Sequence, residues 1–170
     1  MDDALNVVYG VLLMIIRLAT AADVPTIAAL YRETVLAHAP QHYSPAQTTA
    51  WASFGADTPP FRNFILQATT YVAEDDSSLV GFAGLDDDGH VASVYIRHDC
   101  LRQGIGSRLM TTLLETAQRR GLTRLYAEAS AFSLGLFQKH GFSLYATDIV
   151  ERAGVTFERY LVEKTLPFWG

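Results

Sequence analysis

Cysteine is nearly absent from this chain. Cys100 is the only one among 170 residues, which excludes an internal disulfide and leads us to expect a reducing, cytoplasmic home. With no helix start or histidine assignable beside it, Cys100 reads as a small filler near a loop rather than a nucleophile. Positive charge is scarce too. Thirteen Lys+Arg against eighteen Asp+Glu leave a net charge of -5 and a pI near 5.4. That balance argues against a nucleic-acid partner, which needs a basic face to displace phosphate counterions, and suits a cationic small molecule better.

A membrane-spanning or targeting segment is not expected either. Val7 to Ile16 is a nearly unbroken apolar run, but it is too short to cross a bilayer. Asp2 and Asp3 precede it where a secretory signal would carry positive charge, and Arg17 interrupts it without a small-residue cleavage pattern. No repeat, Pro/Ser-rich linker or like-charged run divides the chain. We therefore expect an extension over residues 1–13 and a single domain over residues 14–170.

The apolar spacing changes period along the chain. Ile15 to Leu18 reads as a first strand, and Thr20-Ala21-Ala22-Asp23 as a capping box that opens a helix. Ile27, Leu30, Tyr31 and Val35 share one face of that helix, and Pro40 ends it. Ser44-Pro45-Ala46-Gln47 signals a second helix, with a serine cap and proline at the first helical position. Pro59 and Pro60 read as an irregular connection. Strands are predicted over Thr70 to Ala73, Leu79 to Leu85 and His90 to Ile96, with Asp86-Asp87-Asp88-Gly89 as a hairpin turn. Gly104 to Arg120 is the clearest helix, stopped by Gly121. Leu125 to Ala129 follows as a strand, Phe132 to His140 as a short helix, and Phe142 to Glu151 with Val155 to Val162 as a final hairpin.

Chemistry concentrates in Arg102-Gln103-Gly104-Ile105-Gly106-Ser107, between a strand and an amphipathic helix. Its two glycines free the backbone to aim N–H groups at one point near the positive end of the helix dipole, which makes an anion site. Arg102 adds a forked donor. Nucleotide signatures do not fit: the Gly-Lys-Ser/Thr ending of a P-loop is absent, and Leu109 stands where a dinucleotide fingerprint needs glycine. Metal is not expected, because Pro40 separates His38 from His42 and no glutamate partners them.

The order of Val94-Tyr95-Ile96, this loop, and Phe137-Gln138-Lys139-His140-Gly141-Phe142 resembles the GNAT superfamily of N-acetyltransferases. The likeness covers Met14 to Leu166 and rests first on a Q/R-x-x-G-x-G/A motif. It implies an α+β, three-layer fold: a mixed, mostly antiparallel twisted sheet of about six to seven strands, helices on both faces, and one parallel strand pair around the coenzyme site. Leu101 departs from the motif's Q/R position, with the charge on Arg102 instead. Phe137 replaces the tyrosine that often protonates the departing thiolate. A small bacterial subgroup is similar in that detail, in the strand end Glu128-Ala129-Ser130, and in the stretch from Tyr43 to Trp51.

The resemblance implies acetyl-CoA as acyl donor, held through Val94, Tyr95, Ile96, Arg102, Gln103, Gly104, Ile105, Gly106, Ser107, Ser130 and Phe137. It implies direct attack of a primary amine on the thioester in a ternary complex. A free alkyl amine is protonated at neutral pH, so a base is required. Glu128 is the first choice; its plainer role is pairing with Arg124 or Lys139. His90 is the second, with solvation the expected state of a hairpin histidine. Tyr126 ranks first as proton donor to the thiolate, ahead of Tyr145 or water. Tyr31, Tyr43 and Trp51 are candidate substrate-binding residues, offering an aromatic wall to a cation. The replacement at Phe137 keeps open a second reading, a non-catalytic acyl-CoA-binding or sensor module. The final hairpin and the apolar extension each offer a surface for a homodimer.

Overall fold

The computed structural model describes residues 14–168, and the extension expected over residues 1–13 lies outside them. Among the described residues, seven strands and five α-helices make an α+β, three-layer arrangement. The first strand, β1 (Ile15–Leu18), leads into a turn in which Asp23 accepts from the Thr20 backbone N–H at 2.8 Å and pairs with Arg17. Helix α1 (Val24–His38) follows and buries Ile27, Leu30, Tyr31 and Val35 on the face that their spacing defines. Helix α2 (Pro45–Ser53) starts from a reciprocal cap: Ser44 Oγ accepts from Gln47 N–H at 3.1 Å, and Gln47 Oε1 from Ser44 N–H at 2.9 Å.

The irregular connection expected at Pro59 and Pro60 is instead the start of a helix, α3 (Pro59–Leu66). Proline costs nothing in a first turn, where its missing N–H has no partner to lose, and Thr58 caps the end by accepting from Phe61 N–H. Phe61 and Ile65 then bury fully beneath α1.

Strands β2 (Thr69–Asp75), β3 (Ser78–Leu85) and β4 (Val91–Ile96) join β1 in an antiparallel sheet of order β1-β2-β3-β4. The turn between β3 and β4 closes through Asp86 N–H to His90 O at 2.8 Å, with Gly89 at φ +97. Helix α4 (Ile105–Arg119) is next, then β5 (Arg124–Ala129), α5 (Leu134–Lys139), β6 (Ser143–Arg152) and β7 (Val155–Thr165). The last three strands form a second antiparallel sheet of order β5-β7-β6.

Two apolar cores flank the first sheet. Val72 and Phe82 pack with α1 and α3 on one side, while Ala73 and Ala83 pack with α4 on the other. Leu109, Met110 and Leu113 of α4 are fully withdrawn from water, each contributing roughly 1.5–3 kcal/mol relative to exposure.

The parallel pair expected around the loop is narrower than a ladder. His90 and Tyr126 form one parallel bridge, with Tyr126 N–H donating to Gly89 O at 3.1 Å, and beyond it β4 and β5 diverge. The wedge between them is an open cleft of about 1820 Å³, large compared with an ordinary small-ligand pocket of about 300–1,000 Å³.

Candidate active site

One end of the cleft is made by the start of α4. The first backbone bond of this helix runs from Arg108 N–H to Gly104 O, so the N–H groups of Ile105, Gly106 and Ser107 have no intrahelical acceptor. The two glycines act differently. Gly104 holds φ +81 as the helix cap, a left-handed conformation that a side chain disfavours. Gly106 instead supplies room: a Cβ there would lie 3.1 Å from Ile96 Cδ1 and 3.3 Å from Leu136 Cδ2. Arg102, Gly104, Ile105, Gly106 and Ser107 line the cleft; Gln103 does not. Arg102 is exposed at φ +61 and has no acidic partner among the described residues. Cys100 is buried behind the loop, its thiol donating to Asp99 and pushed up by burial.

Strand β4 presents its main chain to the same space. Arg97 N–H donates to Val80 O, and antiparallel alternation then assigns Tyr95 to the β3 ladder and turns the main-chain groups of Val94 and Ile96 away from it. The Ile96 carbonyl accepts from Thr34 Oγ1 at 3.0 Å. With β5 splayed off, the remaining groups on that edge meet the cleft.

At the other end, His90 sits between two carboxylates. Its Nδ1 is 2.9 Å from Asp86 Oδ2 and its Nε2 is 2.5 Å from Glu128 Oε2. The solvated hairpin histidine expected from the sequence is thus clamped and mostly buried. The hydrogen bond to Glu128, helped by Asp86 and opposed by burial, raises the His90 pKa to about 9. The same bond lowers Glu128 below the usual carboxylate range. Glu128 does not pair with Arg124, which holds Glu163 at 2.8 Å, nor with Lys139. Its cation besides His90 is Arg159, at 3.8 Å, itself engaged by Asp148 through two bonds of 2.9 and 2.7 Å.

Tyr126 is not brought to the cleft. Its hydroxyl donates to Asp88 in the β3–β4 turn, which raises its pKa to about 12, and it is absent from the cleft lining. Tyr145 is also outside the lining, half exposed on β6. Phe137 is buried edge-on against Phe142, with ring centroids 5.1 Å apart. Ser130 uses its hydroxyl in a tight turn with Ser133, at 3.1 Å, ahead of α5.

Tyr31, Tyr43 and Trp51 all line the cleft, but unequally. Tyr31 is 5% exposed and packs against Tyr95 at 4.6 Å between centroids. Tyr43 meets Trp51 edge-on at 5.3 Å, and its hydroxyl accepts from Ala131 N–H at 2.9 Å. The sequence pattern does not single out Asp86, Arg152 or Arg159, which line the cleft. Asp86 was the most legible, since it flanks the same hairpin turn as His90. His140 reaches Ser107 Oγ at 3.2 Å, and burial lowers its pKa.

His38 and His42 hold no common point: His38 Nε2 bonds His98 O at 3.1 Å and its ring stacks on Phe132. Among the described residues there is no metal-binding cluster of three such side chains, and no helix is long and apolar enough to cross a membrane.

The fold recurs in known proteins. A family model described as an acetyltransferase (GNAT) domain matches residues 39–164, about three-quarters of the chain. YafP of Escherichia coli K12, described as an uncharacterized N-acetyltransferase, is 25% identical over 145 residues, covering 85% of this chain and 91% of its own. The crystal structure of a GCN5-related N-acetyltransferase from Rhodopseudomonas palustris superposes with a TM-score of 0.86 at 26% identity, over 89% of this chain and 95% of that one. PaiA N-acetyltransferase from Thermoplasma acidophilum, solved in complex with coenzyme A, shares the fold at TM-score 0.76 and 18% identity, over 90% and 99%.

Proposed function

Because this chain belongs to the GNAT acetyltransferase family and is an acyl-CoA-dependent N-acetyltransferase, we propose that it acetylates a primary amine of a small molecule or peptide, by direct attack in a ternary complex. The donor is acetyl-CoA, whose thioester supplies the electrophilic carbonyl. The loop suits a diphosphate: three N–H groups without intrahelical acceptors converge at the first turn of α4, and a side chain at Gly106 would crowd that turn. Each charge-assisted bond to an oxyanion there contributes about 1.5–3 kcal/mol. Arg102 stands in for the charge missing at Leu101. Val94 and Ile96 offer main-chain groups to the acyl arm, with Tyr95, Ser130 and Phe137 beside them.

The observation that carries the reading is that the Asp86–His90–Glu128 chain opens on the same cleft as that helix start. Near neutrality the unit is an imidazolium, protonated on both ring nitrogens, between two carboxylates. It titrates as a unit, so above about pH 9 it is free to accept a proton through Glu128 into the His90 ring. A base of that strength approaches an alkyl ammonium at about 10.4 far more closely than an ordinary imidazole at about 6.5. Glu128 is the gateway that meets the ammonium, His90 the reservoir, and Asp86 fixes the ring through Nδ1. The neutral amine then forms the C–N bond as the C–S bond breaks. The thiolate, with a pKa not far above neutrality, takes its proton from solvent or from the amine's second N–H. Tyr126 and Phe137 have no part in that step.

The strand end Glu128-Ala129-Ser130 and Phe137 on α5 support the likeness to the bacterial subgroup. The experiment is thiol release from acetyl-CoA across a panel of primary amines. Saturable coenzyme binding with no amine-dependent release would favour the sensor module and sink this reading.

A further inference from the structure

We propose that the acceptor carries an anionic group, a carboxylate or comparable oxyanion, that binds in a donor-rich corner formed by Arg152 and the hydroxyls of Tyr31 and Tyr95. This rests on amine acetylation as read above and names the class of amine.

Arg152 ends β6 at the tip of the β6–β7 hairpin and lines the cleft. Acids outnumber bases in this chain, yet no carboxylate among the described residues is within ion-pair distance of Arg152. The neighbouring cleft arginine, Arg159, is by contrast saturated by Asp148 and faces Glu128. Arg152, Tyr31 and Tyr95 all line the one cleft, and the Arg152 charge acts against the rise that burial gives the pKa of both tyrosine hydroxyls.

Those hydroxyls add donors rather than acceptors. Trp51 Nε1–H donates to the Tyr95 hydroxyl at 3.2 Å, and the Tyr31 ring lies 4.6 Å from that of Tyr95. Trp51, Tyr95 and Tyr31 bring three donor hydrogens to two oxygens. Whichever way the hydroxyls turn, at least one O–H has no acceptor within the group, and no carbonyl or carboxylate among the described residues takes it. An unpaired guanidinium beside an undelivered O–H is a site for an oxyanion.

The acceptor end is therefore polarised. Asp86, Glu128 and Glu158 bring carboxylates to the cleft lining, while Arg152 brings to it a guanidinium without a carboxylate partner among the described residues, beside the hydroxyls of Tyr31 and Tyr95 in the same lining. A plain alkyl amine uses only the acidic side; an amine bearing a carboxylate uses both. The aromatic residues that the sequence suggests as a wall for a cation thus present, at Tyr31, a donor to an anion.

The test pairs the standard amino acids and short ω-amino acids with their carboxamides, titrated calorimetrically into the coenzyme A-loaded protein. The acids are expected to bind at least about tenfold more tightly than the amides. Arg152→Gln should erase that preference, Arg152→Lys should retain part of it, and coenzyme A affinity should be unaltered in both, which also reports their folding. Amides binding as tightly as acids, no acid binding at all, or an unchanged preference in Arg152→Gln each overturns the proposal. Thiol release is scored on the same pairs. Acid preference without amine-dependent release would remove the acetyl-transfer reading and leave the anion corner standing.

Discussion

The glycine loop at the start of α4 and the Asp86–His90–Glu128 network share one cleft and differ in what holds them. The loop offers main-chain N–H groups, fixed by Gly104 and Gly106 and by the helix that starts there. The network works through side chains drawn from the β3–β4 turn, β5 and the β6–β7 hairpin, brought together only by the packing of two sheets. A backbone site tolerates side-chain change and fails when its glycines are filled. A side-chain site fails one charge at a time, and its remaining members change pKa as it does.

The largest effect should come from filling the loop. In Gly106→Val the new side chain meets Ile96 and Leu136, and coenzyme A affinity should fall more than about hundredfold, the loss of two charge-assisted bonds. Calorimetry with a melting curve separates this from unfolding. A folded variant with native affinity would place the diphosphate elsewhere.

At the other end, Glu128→Gln should reduce kcat by about 10²–10⁴-fold while coenzyme A affinity stays within about twofold, since no loop contact is touched. A joint loss of both would erase the distinction between the two ends.

The clamp itself is sharpened by titrating His90 with nitrogen NMR. Its pKa should lie near 9 and drop toward 6.5 in Glu128→Gln, because the bond to Glu128 is its main cause. A raised folded pKa stabilises the native state fully below the unfolded value of 6.5, and that contribution is lost as pH rises through about 9. Thermal stability should therefore decline over that window in the native protein and decline less in the variant. An unshifted His90 would mean that the clamp does not form in solution.

The smallest effect is expected at Tyr126. Tyr126→Phe removes a hydroxyl held by Asp88 outside the cleft, so kcat should stay within about twofold while stability falls by roughly 1 kcal/mol. A large loss of kcat would return Tyr126 to the chemistry.

The same contrast explains what the sequence revealed. The glycine loop, the helix behind it and the caps at Ser44 and Thr20 depend on residues within a few positions, and their spacing shows directly. Helix α3 escaped because paired prolines mark both a connection and a first turn, and only Thr58 before them separates the two. Glu128 is legible through resemblance, but its partners are not: the alternative of a plain pairing with Arg124 or Lys139 gives way to His90 and Arg159. Nothing local indicates that β5 runs beside the β3–β4 turn and so sets Glu128 on His90. Arg152 and Arg159 lie still further away in sequence, and their opposite states, one unpaired and one saturated, follow from hairpin register.

The pH dependence of kcat at saturating amine and acetyl-CoA tests the Asp86–His90–Glu128 unit most directly, because saturation removes the titration of the free amine. A base held at about 9 predicts a rate that climbs from neutrality to a plateau with a midpoint there, and a profile that loses this rise in Glu128→Gln. A profile that is flat from pH 6 to 10, or one that keeps the same rise in Glu128→Gln, would contradict it.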